Sequence, residues 1–154
     1  MPGVGSYREL LERLAVELGV AHEIIFAGNI DFKEVKRYYA AADLHLVPSY
    51  IETFNYSAIE AAVTGTRTLM TDRIGSGHWL ELCDAAIVAV GRDVAGFAAA
   101  MVSALGKQTD ARVARAIATC TEETLNVDAH APQLANLLSE CAGPRHGADA
   151  GQTN

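Results

Sequence analysis

Short apolar runs alternating with helix-patterned segments constrain this chain more than any other feature. The runs are residues 24–27 (Ile-Ile-Phe-Ala), 44–47 (Leu-His-Leu-Val), 68–70 (Thr-Leu-Met) and 86–90 (Ala-Ile-Val-Ala-Val). Strands this apolar, separated by helices, pair in parallel and are covered on both faces. The predicted fold class is α/β, a Rossmann-like parallel sheet with helices on both faces. In such sheets ligands bind outside the carboxyl ends of the strands.

The intervening segments read as helices with recognisable ends. Residues 6–18 carry Leu10, Leu11, Leu14 and Leu18 on one stripe, with Arg and Glu opposite. Asp31 and Glu34 form a capping box that opens a helix through about residue 42. Further helices are predicted at about residues 55–64, 78–82, 93–105, 110–123 and 128–141, with Asp93 as a cap and Gly65 as a stop. Residues 1–5 are a glycine-rich lead-in, residues 1–141 one domain, and residues 142–154 a polar tail expected to be disordered.

Composition narrows the function classes. The chain has 154 residues, half of them hydrophobic, and a net charge of -7, which argues against non-specific binding to nucleic acid or acidic lipid. Cys83, Cys120 and Cys141 are widely spaced, with no Cys-x-x-Cys pair and no His at ligand spacing. Neither a disulfide framework nor a bound metal is expected, and a reducing cytoplasm is the default. No apolar run reaches the roughly 18 residues of a membrane span, so any membrane contact is peripheral, at the inner face.

The loops 28–30, 49–55 and 71–77 all leave from the carboxyl rim of the expected sheet. Around the second of these, Glu52 and Glu60 lie on either side of a helix start. Unpaired N–H groups and the helix dipole make such a start an anion site, and carboxylates grip vicinal hydroxyls. The pair therefore suits a ligand with both phosphates and hydroxyls. Spacing alone leaves a second reading open: Ser57-x-x-Glu60 is itself a capping box, and Glu52 an exposed loop acid. Asp72 serves equally as a hydroxyl ligand or a turn cap, and Gly75-Ser-Gly77 as a rim loop or a plain turn. Gly3-Val-Gly5-Ser6 reads as a turn into the first helix. His45, between Leu44 and Leu46, reads as a buried, satisfied histidine, and Tyr38-Tyr39 as packing. No catalytic triad and no P-loop is present.

The run Glu52-Thr-Phe-Asn-Tyr-Ser-Ala-Ile-Glu60-Ala resembles the Glu-x7-Glu motif of retaining GT-B glycosyltransferases of the group 1 (family 4) type, whose usual form is Glu-Gly-Phe-Gly followed by Glu-Ala. Flanking stretches agree in order: Gly3-Val-Gly5-Ser-Tyr-Arg-Glu-Leu, Ile25-Phe-Ala-Gly28, Tyr39-Ala-Ala-Ala-Asp43, Val47-Pro-Ser49, Gly65-Thr66, Thr71-Asp72 and Gly75. The resemblance covers about residues 3–105. It implies that Glu52 contacts the donor sugar, that backbone N–H groups of Phe54, Asn55 and Tyr56 approach sugar and diphosphate, and that Glu60 holds the ribose hydroxyls. Gly28, Asn29 and Ile30 would border the nucleobase, with Asp72 and Gly75 on the rim. It implies a retaining, hexosyl-type enzyme that uses a UDP-, GDP- or ADP-linked sugar and no cofactor.

The departures from that pattern are Thr53 and Asn55 for the two glycines, Arg67 for Pro, and Trp79 where Glu is usual. The resemblance also implies that this is the C-terminal, donor-binding half of a GT-B fold with an incomplete sheet. An N-terminal domain, or a partner chain, and the basic pair that grips the diphosphate would lie elsewhere. The chain is then expected to be a fragment or one half of a split enzyme, inactive alone. The alternative is a non-catalytic nucleotide-sugar-binding or interaction module that completes its sheet with a partner. A flavodoxin-like signalling domain fits poorly, since Asp43 stands at the wrong end of its strand.

Overall fold

The structure, a computed structural model, describes residues 6–89, 93–107 and 109–142. The lead-in at residues 1–5, Val90 and the expected tail beyond residue 142 lie outside the described residues. The chain forms two compact units, Met1–Val35 and Lys36–Asn154.

In the first unit, α1 (Tyr7–Glu17) starts at Ser6, whose hydroxyl accepts the Glu9 N–H at 3.4 Å. Arg8 and Glu12, one turn apart, pair at 2.7 Å. Gly19, at φ +71°, ends the helix, and the Val20 N–H returns to the Ala15 carbonyl at 2.9 Å. That left-handed stop satisfies a carbonyl the helix leaves open. The leucine stripe is not buried as the periodicity implied: Leu10, Leu11, Leu14 and Leu18 are exposed, and Ala15 is the residue that packs.

Residues 24–27, predicted as a strand, form none, and Ile25 is 90% exposed. A strand exists through its ladder; without a hydrogen-bonded neighbour, four apolar residues gain nothing from the pleat. The described sheet therefore has three strands rather than four. Next, α2 (Phe32–Ala41) begins at the expected place, although Asp31 Oδ1 accepts the Lys33 N–H at 2.9 Å while the Glu34 N–H goes to the Asp31 carbonyl at 2.9 Å.

The second unit contains β1 (His45–Val47), α3 (Tyr56–Val63), β2 (Thr68–Met70), α4 (Gly77–Leu82), β3 (Ala86–Val88), α5 (Val94–Leu105), α6 (Ala111–Thr124) and α7 (Val127–Ala142). The strands pair in parallel in the order β1-β2-β3, aligning His45 with Thr68 and Ala86. Alternation then sends Val47 and Met70 to one face and Leu46 and Leu69 to the other. The first face packs under α3, α4 and α6, where Val47, Met70, Ala58, Ala62, Leu80 and Ile117 form the core. Alanines at 58, 61 and 62 let α3 approach closely, and Gly65 (φ +87°) then turns the chain. A Cβ on Gly65 would stand 2.6 Å from the Ala114 carbonyl oxygen, so α6 rests directly on that turn.

The second face carries α5, started by Asp93 accepting the Gly96 N–H at 2.8 Å. No residue of α5 is charged, yet Ala104 is the one it buries. Between α5 and β1 lies an apolar groove of about 390 Å³ lined by Leu46, Pro48, Tyr50, Val94, Phe97 and Met101.

One expectation is overturned by packing. Cys83, at the end of α4, and Cys120, on α6, form a disulfide with Cα atoms 5.4 Å apart. They are 37 residues apart in sequence, so spacing could not show that two helices on the same face bring them together. The default to a reducing compartment, which rested on unpaired cysteines, loses that support.

Candidate functional site

Two loops of the second unit build the rim at the carboxyl ends of β1 and β2. Beyond the strands the chains stay zipped together. Glu52 bridges Ile74 in parallel, its N–H donates to the Arg73 carbonyl at 3.1 Å, and its carbonyl accepts the Gly75 N–H at 3.0 Å. The contact is tight enough to dictate the residue: a Cβ on Gly75 would lie 1.8 Å from the Thr53 carbonyl oxygen. Thr71 ties the base of the rim by donating its hydroxyl to the Ser49 carbonyl at 2.6 Å. Ser49 in turn donates its hydroxyl to Glu52 Oε1 at 3.3 Å. Glu52 is half-buried in this arrangement, so its carboxylate is held rather than loose.

The helix start follows at once. Asn55 caps α3, its Oδ1 accepting the Ala58 N–H at 2.9 Å and the Ser57 hydroxyl at 2.7 Å. With Asn55 in that role, the Ser57–Glu60 capping box left open by the spacing is not made. Glu60 instead accepts the Tyr39 hydroxyl on Oε2 at 3.3 Å. Phe54 and Tyr56 flank the cap with ring centroids 5.2 Å apart, Tyr56 exposed. The result is a helix N-terminus between two restrained carboxylates, bordered by aromatic rings. Such a place can receive an anion at the helix end and hydroxyls at the acids.

Behind Glu60, His45 Nδ1 pairs with Thr68 Oγ1 at 3.1 Å, and the Tyr39 ring stands edge-on to the imidazole at 5.4 Å. Burial pushes the His45 imidazole below its usual range, with Glu60 opposing the shift less strongly. The histidine is the satisfied, packed residue its strand position implied. Burial first, then the Glu60 carboxylate, push the Tyr39 phenol up.

The other predicted site residues fall on the rim or in the first unit. Asp72 is exposed and Gly75 forms the zipped turn. Gly28, at φ +72°, Asn29 and Ile30 form a loop in the first unit. Tyr39, expected only to pack, is the residue that sequence reasoning undervalued. Its sequence distance of 21 from Glu60 hides the contact, and its place in the Tyr-x-x-Ala-Asp run was the available signal. A separate cavity of about 700 Å³ lies at the amino ends of the strands, bordered by Asp43, Thr66 and Asp110, away from both glutamates. Among the described residues no group of three His, Cys, Asp or Glu gathers to hold a metal, and no helix is long and apolar enough to cross a membrane.

Comparison with known proteins adds a family match and several relatives. Residues 2–107 match the family described as Glycosyl transferases group 1. The D-inositol 3-phosphate glycosyltransferase of Nocardia farcinica is 34% identical over 105 residues, covering 68% of this chain and 23% of that protein. The glycogen synthase of Mycobacterium tuberculosis is 32% identical over 117 residues, covering 73% of this chain and 28% of its own length. Among solved structures, the sucrose-phosphate synthase of Thermosynechococcus elongatus superposes with a TM-score of 0.68 at 27% identity, over 90% of this chain and 35% of that one. The chain thus spans less than a third of the length of these two curated relatives.

Proposed function

Because this chain belongs to the group 1 glycosyltransferases and carries part of their GT-B fold, we propose that its rim binds the nucleotide-sugar donor of a retaining sugar transfer. The observation that carries the reading is the release of Glu60 from capping: Asn55 serves the backbone, and the Glu60 carboxylate is held by Tyr39 beside the helix start. In this reading Glu60 accepts hydrogen bonds from the ribose hydroxyls and Glu52 from hydroxyls of the donor sugar. The α3 N-terminus and the N–H groups of Phe54, Asn55 and Tyr56 face the diphosphate. Negative charge grows on the diphosphate as the glycosidic bond breaks, so fixed dipoles aimed there stabilise the transition state. Asp72 and Gly75 lie on the rim of the same site.

Transfer also needs an acceptor held against the donor, and positioning supplies much of such catalysis. On this reading the acceptor groups belong to the portion of the relatives that this chain does not span. By itself it binds donor and transfers little. Isothermal titration of the chain with UDP-, GDP- and ADP-sugars tests the proposal. Binding of one class, lost in Glu60→Ala, supports it; a well-folded chain that binds none contradicts it.

The open face favours a second reading, a binding module that completes its sheet with a partner chain. There β1 lies at the edge of the described sheet, Leu46 is exposed and α5 is uncharged. Sugar release to added acceptors by the chain alone would count against it.

A further inference from the structure

Resting on the donor-site reading, we propose that Tyr39 is the positioning residue that aims the Glu60 carboxylate at the ribose diol. An unsupported glutamate on a short helix samples many rotamers, and ordering it on binding costs affinity. Here the ordering is built in. The Tyr39 hydroxyl donates to Glu60 Oε2 at 3.3 Å, which leaves Oε1 to accept from a ligand hydroxyl.

Tyr39 is itself fixed on several sides. Its carbonyl accepts the Thr66 hydroxyl at 2.7 Å, and Thr66 is buried at the turn into β2. Its ring is braced edge-on against His45, which is anchored in turn to Thr68. Burial and the neighbouring carboxylate keep the phenol protonated at neutral pH, so it remains a donor. His45, pushed toward its neutral form, does not replace it as a cationic partner for Glu60.

The experiment is titration calorimetry of the whole chain with uridine, guanosine and adenosine diphosphates, each in ribo and 2′-deoxyribo form. Tyr39→Phe keeps the ring against His45 and removes the hydroxyl. The wild type is expected to prefer the ribo form of one nucleotide. Tyr39→Phe is expected to lose about threefold to tenfold of that preference, with its melting temperature unchanged, the scale of one hydrogen bond. In a Glu60→Gln background the same substitution is expected to have no further effect on the preference. A Tyr39→Phe chain with the wild-type preference overturns the proposal, as does an equal loss for both forms accompanied by a lower melting temperature. A wild type indifferent to the 2′-hydroxyl overturns the placement of ribose on Glu60 instead, before Tyr39 enters.

Discussion

The two faces of the sheet are built from similarly apolar sequence and reach different ends. Under α3, α4 and α6, Ala58, Ala62, Met70 and Leu80 are sealed to about 1% exposure or less. Under α5, Leu46 remains 41% exposed and, on the helix itself, Val102 70%. The sealed face uses small residues to bring helices close: alanines along α3, and Gly65 beneath α6. On the open face the central Leu69 is buried, but the neighbouring Leu46 and the outer side of an uncharged helix are not. A helix apolar all round belongs in an interior. Hydrophobic pattern states how much surface a segment must hide, and only the available neighbours decide whether it is hidden.

Truncations separate the faces most strongly. Met70→Ala is expected to cost about 2–5 kcal/mol in urea unfolding, because its neighbours cannot fill the hole. Leu46→Ala, half in solvent already, should cost less than about 1 kcal/mol, as little apolar area returns to water. Equal losses would erase the distinction. Next in size is the disulfide on the sealed face. Replacing both Cys83 and Cys120 by Ser should lower stability by about 2–4 kcal/mol, given the loop between them. Thermal unfolding with and without a reducing agent checks it, and insensitivity to both would show that the bond does not stabilise the face.

A smaller effect concerns His45. Its folded value lies below the ordinary 6.5 because of burial, so the unfolded chain binds the proton more readily. Stability is therefore full above about 6.5 and declines as pH falls toward the folded value. The decline should be shallower in His45→Gln, measured by unfolding across pH 5–8. Smallest of all, Val102→Lys on the exposed side of α5 should change stability by no more than about 0.5 kcal/mol. A large loss there would mean that the face is covered after all.

The same contrast explains what was legible in the sequence. The caps at Ser6, Asp31, Asn55, Asp93 and Asp110 sit at the predicted helix starts because capping is a local matter, settled within three residues. Asp93 shows this directly, since its carboxylate binds the backbone only three positions on. The strand at 68–70 was equally plain, and the run 86–90 forms one over Ala86–Val88, because the two pair residue for residue. Residues 24–27 read as a strand for the same compositional reason and form none, since pairing depends on a neighbour that composition cannot supply. The Cys83–Cys120 bond and the Tyr39–Glu60 contact were hidden for a related reason: each joins elements distant in sequence. Glu52 and Glu60 were visible as a pair, but only the Asn55 cap decides that Glu60 is not occupied by the backbone.

The most direct measurement is a crystal structure of the chain soaked with a nucleotide-sugar that it binds. The expected result is a diphosphate at the N-terminus of α3, ribose hydroxyls on the Glu60 carboxylate and the sugar against Glu52. Nucleotide bound instead in the cavity beside Asp43 and Asp110, with the rim empty, would contradict the placement of the donor site.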